Sequence, residues 1–500
     1  MIFGEVHLMI SISDKIMKKQ HNFWNNCLFH PTDAIEDPWG KRILDRMSLD
    51  GAINKVRIYT MFEDIVYLNE TGELQFDFRI SDLRLDYMIE KGYDLLLSYG
   101  GIPDCIAKSN DNKTSVSKNK TRYKGKMWNT SPPKDYKLWE EICYEYTKHN
   151  IERYGIERVL RWHCQCLNEP DISLFFLSEL PNSEAAERGK EYCKLYEAFV
   201  NGIQKASKDI TVGGPALADR LDFLEIFLNF VKSKKLRLDF ISLHNYGTTP
   251  DRLNNNTKPF NTQNNIDNHK RYFDVICKCG FVDTSIKIDE WGMSSHGFFN
   301  REECPLHMCR ETEVFSAYFV RLIYDLIHSE YKIDDLMICL SGQHEMTEDF
   351  TGFRNFFTLN FIAKPIYNAY ILASKLNENI LEYESDNKNL CVIPTRDEKG
   401  NYAILMSYSS ECFCEEISDI VENITFAENI KDKQVTIWCI DKETTNPYRL
   451  CEKLKINNPN TEEISMLQEE GKLKPVVLQS GAEKISLKFS PNSTYLITIG

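Results

Sequence analysis

The feature that most constrains this chain is a series of eight short apolar runs, each ending in polar residues or glycine and each followed by a helical pattern. They lie at 23–28, 56–62, 93–98, 159–167, 210–213, 238–243, 286–288 and 336–340. Near-continuous apolar strands alternating with helices predict a parallel sheet covered on both faces. Eight such units over about 350 residues predict a closed barrel rather than an open sheet. The fold class read from this pattern is α/β, with a (β/α)8 barrel over residues 14–375.

One helix shows the local logic. Ser131-Pro132-Pro133 blocks helix formation upstream, and Asp135 is placed to cap. Leu138, Trp139, Ile142, Cys143 and Tyr146 then share one face at helical spacing, until Gly155 stops the helix. A strand at 159–167 is expected directly after it.

Beyond residue 376 the pattern changes. Short runs at 390–393, 402–408, 435–440, 476–478, 485–489 and 495–499 follow one another without long helices between them. They predict an antiparallel β-sandwich over 376–500. Residues 5–13 are expected to add a strand to it, so that 1–13 joins this second domain.

Composition narrows the function. The net charge is −14, and the basic runs at Lys18-Lys19 and 232–235 are matched by acids elsewhere. A nucleic-acid partner is therefore not expected, and a neutral substrate is. No 18-residue apolar run is present, so no membrane span is expected. The first residues are interrupted by Glu5 and His7 and carry no basic leader, which reads as a cytoplasmic chain without an export signal. Sixteen cysteines show no repeated framework and are read as reduced thiols. The spacings in His163-Cys164-Gln165-Cys166 and Cys277-Lys278-Cys279 do not suit a zinc site, and no metal or cofactor is expected. A homo-oligomer is left open.

In a parallel barrel, chemistry gathers where the strands end. Glu169 ends the fourth run, in Leu167-Asn168-Glu169-Pro170, and Glu290 ends the seventh, in Ile288-Asp289-Glu290-Trp291. Acetal cleavage needs one carboxylic acid to protonate the leaving oxygen and one carboxylate across the anomeric carbon. The two glutamates suit those tasks, because both strands open into one mouth. Asn168 offers an amide for a sugar hydroxyl, and Pro170 biases Glu169 toward extended backbone. Trp291 is either a platform for a sugar ring or a core residue. His244 and Tyr246, ending run six, could orient Glu290 and bind a sugar, or simply pack.

Longer segments carry a resemblance. Residues 131–170, Val212-Gly213-Gly214-Pro215-Ala216, 239–246, 286–291 and 363–370 lie in the order of barrel segments in glycoside hydrolase family 39. So do His21-Asn22-Phe23-Trp24-Asn25-Asn26-Cys27 and Val56-Arg57-Ile58-Tyr59 near the start, and Cys439-Ile440-Asp441 with Thr445-Asn446-Pro447-Tyr448 near the end. The chain resembles that family, which includes β-xylosidases and α-L-iduronidases, over nearly its whole length.

The resemblance implies Glu169 as acid/base, Glu290 as nucleophile, and Asn168, His244 and Tyr246 around the bound sugar. Leu167 stands where the family usually has Trp, and Gly342 where the xylosidases tend to carry Asp, which bears on sugar specificity. Glu345 is expected to keep one polar contact to the sugar. The implied function is a retaining β-xylosidase releasing xylose from short β-xylosides. The alternatives are an iduronidase-like enzyme, which would hold a cation such as Arg354 against a uronate, and a sugar-binding barrel that has lost its chemistry.

Overall fold

All eight apolar runs become strands, and the strands close on themselves. The computed structural model describes residues 8–114, 127–248, 261–295, 297, 299–340, 346–413, 417–480 and 483–500. The chain begins with β1 (Leu8–Lys19), which belongs to a second sheet. The barrel strands are β2 (Asn26–Phe29), β3 (Lys55–Tyr59), β4 (Asp94–Tyr99), β5 (His163–Cys166), β6 (Thr211–Leu217), β7 (Phe240–Tyr246), β8 (Ser285–Gly292) and β9 (Ile333–Leu340). Each pairs in parallel with the next, and β9 returns to β2. A long helix follows every strand: α1 (Pro38–Asp50), α2 (Arg79–Glu90), α3 (Tyr136–Tyr154), α4 (Ala185–Ala206), α5 (Leu221–Lys234), α6 (Thr262–Cys279), α7 (Glu313–His328) and α8 (Pro365–Ala373). The chain is a (β/α)8 barrel.

The local expectations for α3 hold. The Asp135 side chain accepts from the Lys137 N–H, and Trp139, Ile142, Cys143 and Tyr146 are buried. Gly155, at φ 81°, ends the helix but also starts a short helical turn, Ile156–Val159, so the strand begins only at His163. Val159, read as strand, instead packs into the helical layer.

The floor of the barrel is closed by charge. The buried Asp335 carboxylate takes Lys287 at 2.5 Å, Lys55 at 2.8 Å and the Asn26 amide at 2.9 Å. Charges at this depth persist only when paired.

The second sheet has nine strands. After β9 come β10 (Asn379–Glu384), β11 (Leu390–Arg396), β12 (Tyr402–Tyr408), β13 (Ile420–Phe426), β14 (Gln434–Ile440), β15 (Pro475–Ser480), β16 (Ile485–Phe489) and β17 (Ser493–Ile499). Their order is β15-β14-β17-β12-β11-β10-β1-β13-β16. The sheet curls so that both halves share one core, with Ile10 and Ile12 beside Ile404, Met406, Ile437 and Phe489. Register shifts in β1 between Ile12 and Ile16, and again between Ile16 and Lys18, accompany the bend. The expected antiparallel pattern is broken once, where β1 runs parallel to β13. A strand arriving from the far end of the chain is not bound to the alternation that hairpins impose.

Two short helices, α9 (Pro447–Leu454) and α10 (Thr461–Glu470), interrupt this sheet and tie it to the barrel. Arg449 reaches the buried Glu313 of α7 at 2.8 and 3.1 Å, and the Asn446 amide donates to the same carboxylate at 2.8 Å. Among the described residues, no helix is long and apolar enough to cross a membrane.

Candidate active site

The mouth of the barrel is built from the ends of β3, β5, β7 and β8. On β8, side chains alternate, and Glu290 faces the interior while Trp291 faces the helices. Trp291 has 0% of its surface exposed, stacks on Phe319 and donates from Nε1 to the Tyr370 hydroxyl at 3.2 Å. The expected sugar platform is thus corrected to a core tryptophan. A register shift against β7, where Leu243 pairs Ile288 but His244 pairs Glu290, leaves Asp289 as an extra residue. Asp289 therefore also turns inward, onto Arg57 and Gln165.

The end of β5 also departs from expectation. Glu169 has φ 44° and Leu167 φ 60°, so Pro170 does not leave Glu169 extended. Left-handed backbone is costly for both residue types and needs outside support. The Leu167 N–H donates to the Tyr99 carbonyl at 2.8 Å, and the Glu169 N–H donates to the Ala216 carbonyl at 3.0 Å. This twist sends the Glu169 side chain into the mouth, where it is only 17% exposed.

The two glutamates meet there. An oxygen of Glu169, an oxygen of Glu290 and a ring nitrogen of His244 all lie within 4.8 Å of one another. His244 Nδ1 is 2.7 Å from Glu169 Oε1 and 3.7 Å from Glu290, so it serves the former more closely than the latter. The Tyr246 hydroxyl donates to Glu290 Oε2 at 2.7 Å, and Tyr59 approaches Glu290 Oε1 at 3.4 Å. Arg57, fully buried, links the set: Nη1 donates to Glu290 at 2.8 Å, Nη2 to the Asn168 side-chain oxygen at 2.6 Å, and Nε lies 3.1 Å from Asp289. Arg354 donates to the Tyr246 hydroxyl at 2.9 Å and stacks over its ring. Asn168, His244 and Tyr246 are thus brought together with the two glutamates at the mouth, while Glu345, with Gly342, lies outside the described residues.

The environment separates the two acids. Burial raises the Glu169 pKa, and the negative charges of Glu290 and Asp171 add to that against the opposing His244. Burial would raise Glu290 as well, but His244, Arg57 and Arg354 outweigh it and hold Glu290 at about 2. His244 is lifted to about 9, because Glu290, Asp289 and Glu169 overcome its desolvation. The pair is therefore one carboxyl that keeps its proton longer than usual and one that loses it early, the division acid–base chemistry needs. Glu169, His244 and Glu290 could in principle ligate a cation. Glu290 already faces Arg57, Arg354 and the imidazolium, so a metal would enter against three positive groups.

The family model described as glycosyl hydrolases family 39 matches residues 8–481. The chain belongs to this family. It is a glycosidase, an enzyme that hydrolyses glycosidic bonds.

The chain is 25% identical to a β-xylosidase of Caldicellulosiruptor saccharolyticus over 97% of its own length and 96% of that enzyme. To an α-L-iduronidase of Mus musculus it is 24% identical, over 45% of this chain and 35% of that one. A monomeric β-xylosidase of Caulobacter crescentus has the same fold, with a TM-score of 0.81 at 17% identity, covering 98% of this chain and 99% of that one.

Sequence reasoning about this family 39 chain overlooked the roles of Arg57, Tyr59, Asp289 and Gln165. The missed signal was a cation inside the apolar run Val56-Arg57-Ile58-Tyr59: a charge on a strand buried on both faces requires a buried partner.

Proposed function

We propose that this family 39 glycosidase is a retaining β-xylosidase acting by double displacement, with Glu290 as nucleophile and Glu169 as acid/base. The observation that carries this reading is the approach of the two carboxyl groups to within 4.8 Å. Retaining enzymes keep them about 5–5.5 Å apart, and inverting ones about 6.5–9.5 Å, to leave room for water. The near full-length similarity to a β-xylosidase favours a xyloside.

Glu290, ionised and oriented by Tyr246 and Arg57, attacks the anomeric carbon as Glu169 protonates the departing oxygen. The glycosyl–Glu290 ester then forms, and Glu169, now ionised, takes a proton from the water that hydrolyses it. Arg57 and His244 stabilise Glu290 as a leaving carboxylate in that second step. The proton on Glu169 is available before the first step because burial and nearby anions retain it there.

A second reading, an enzyme for uronic acid glycosides, rests on Arg354. Its guanidinium stands beside Tyr246 at the Glu290 side of the mouth, where a substrate carboxylate would find a bidentate partner. A panel of nitrophenyl and umbelliferyl glycosides separates the two: the xyloside is expected to turn over fastest, and a faster iduronide would install the second reading. NMR of the first-formed sugar tests retention. The β-anomer is expected first from a β-xyloside, and the α-anomer appearing first would refute the mechanism.

A further inference from the structure

Glu169 stands on backbone that its residue type avoids, and the loop itself shows what holds it. Asp171, two residues on, is fully buried. Its carboxylate spans the gap to the loop after β6: Oδ1 accepts the Ala218 N–H at 2.9 Å, and Oδ2 accepts those of Asp219 at 2.9 Å and Arg220 at 3.0 Å. Arg220 precedes α5 and supplies no side-chain cap of its own. Asp171 thus anchors the segment leading into that helix from the neighbouring loop, and through the Arg220 N–H it meets one of the donors at the helix start.

The same loop is tied a second time. The Glu169 N–H donates to the Ala216 carbonyl, and the Ala216 N–H donates to Ser242 Oγ at 2.8 Å. Ala216 is itself left-handed, at φ 56°. Two unusual backbone positions, one on the loop after β5 and one near the end of β6, are therefore tied by the Glu169–Ala216 hydrogen bond and braced by one carboxylate and one hydroxyl. Asp171 is also among the charges that keep the Glu169 proton in place.

We propose that Asp171 is a positioning residue for proton transfer: it locks the β5 loop onto the start of α5 and so fixes Glu169 opposite the leaving oxygen. This rests on the reading of Glu169 as acid/base. Only a carboxylate matches three converging N–H groups. An asparagine at 171 would turn two N–H bonds of its own toward those donors or leave at least one unpaired.

The test measures the parent, Asp171→Asn and Glu169→Ala on an activated dinitrophenyl glycoside and on an alkyl glycoside of the same sugar, the sugar being the one the nitrophenyl panel selects. Asp171→Asn is expected to lose about tenfold more kcat on the alkyl than on the activated substrate, a fraction of what acid catalysis supplies. Its alkaline pH limb should also move to lower pH, because a negative neighbour of Glu169 has gone. Equal losses on both substrates with an unmoved limb would overturn the proposal. If Glu169→Ala shows no such selectivity, the acid/base reading fails and takes this inference with it. If Asp171→Asn does not fold, Ser242→Ala, which frees only the Ala216 N–H, should show the same selectivity more weakly, and an unselective Ser242→Ala would count against the lock.

Discussion

At the residue scale, the site is organised by buried cations as much as by its two acids. Arg57 is the clearest case, because one guanidinium faces Glu290, Asp289 and Asn168 together. Replacing it with Ala takes a shared cation away from two buried carboxylates, and a loss of about 3–5 kcal/mol in stability is expected from urea unfolding. An unfolding midpoint equal to the parent's would show that the carboxylates find other partners. His244 bears on the pH dependence that the proposed mechanism predicts. With Glu169 as the proposed acid, the active form carries its proton; burial raises that pKa, so kcat/KM is expected to fall as pH rises through it. His244, charged below about 9, opposes the rise. His244→Gln removes that cation, so the alkaline limb of kcat/KM should move to higher pH; an unmoved limb would exclude His244 from the titration. That the two glutamates meet at the mouth was legible in the sequence, because each follows or ends an apolar run and the strands of a barrel open into one mouth. Arg57 was not, because a lone arginine shows its partners only once distant strands converge, and Arg354 was legible only as one candidate cation for a uronate.

At the scale of elements, the apolar runs announced every barrel strand, since burial on both faces demands a continuous run. Strands carrying polar residues escaped notice: β10 reads Asn379-Ile380-Leu381-Glu382-Tyr383-Glu384, and β13 places a buried Glu422 on its core side. The left-handed turn at Glu169 was equally invisible, because its support comes from the Ala216 carbonyl near the end of β6, distant in sequence. Packing between helices is tight where α3 meets α4. A Cβ on Gly202 would stand 2.4 Å from the Glu140 carbonyl oxygen and 2.8 Å from the Cys143 Cβ. Gly202→Ala must therefore push the helices apart, with an expected cost of about 1–3 kcal/mol. Thermal unfolding measures it, and a gain in melting temperature would contradict so close an approach.

At the scale of the whole molecule, the second sheet is completed from both ends of the chain. β1 lies inside it, between β10 and β13, and lends Ile10 and Ile12 to its core. A chain starting at Gln20 would split the sheet into two parts and expose both new edges. Such a truncation is expected to be insoluble or to melt well below the parent, whereas an unchanged melting curve would show β1 to be dispensable. Arg449 and Asn446, between strands of this sheet, join it to the barrel at Glu313, the first residue of α7. The proposed double displacement requires Glu290 to become covalently bonded to the sugar. Incubation with a 2-fluoro glycoside carrying a good leaving group, followed by mass spectrometry of the digested protein, observes that bond directly. The account predicts one fluoroglycosyl group per chain, on the peptide that contains Glu290; a label on any other residue, or turnover of the reagent with no label under conditions that trap an ester, would contradict it.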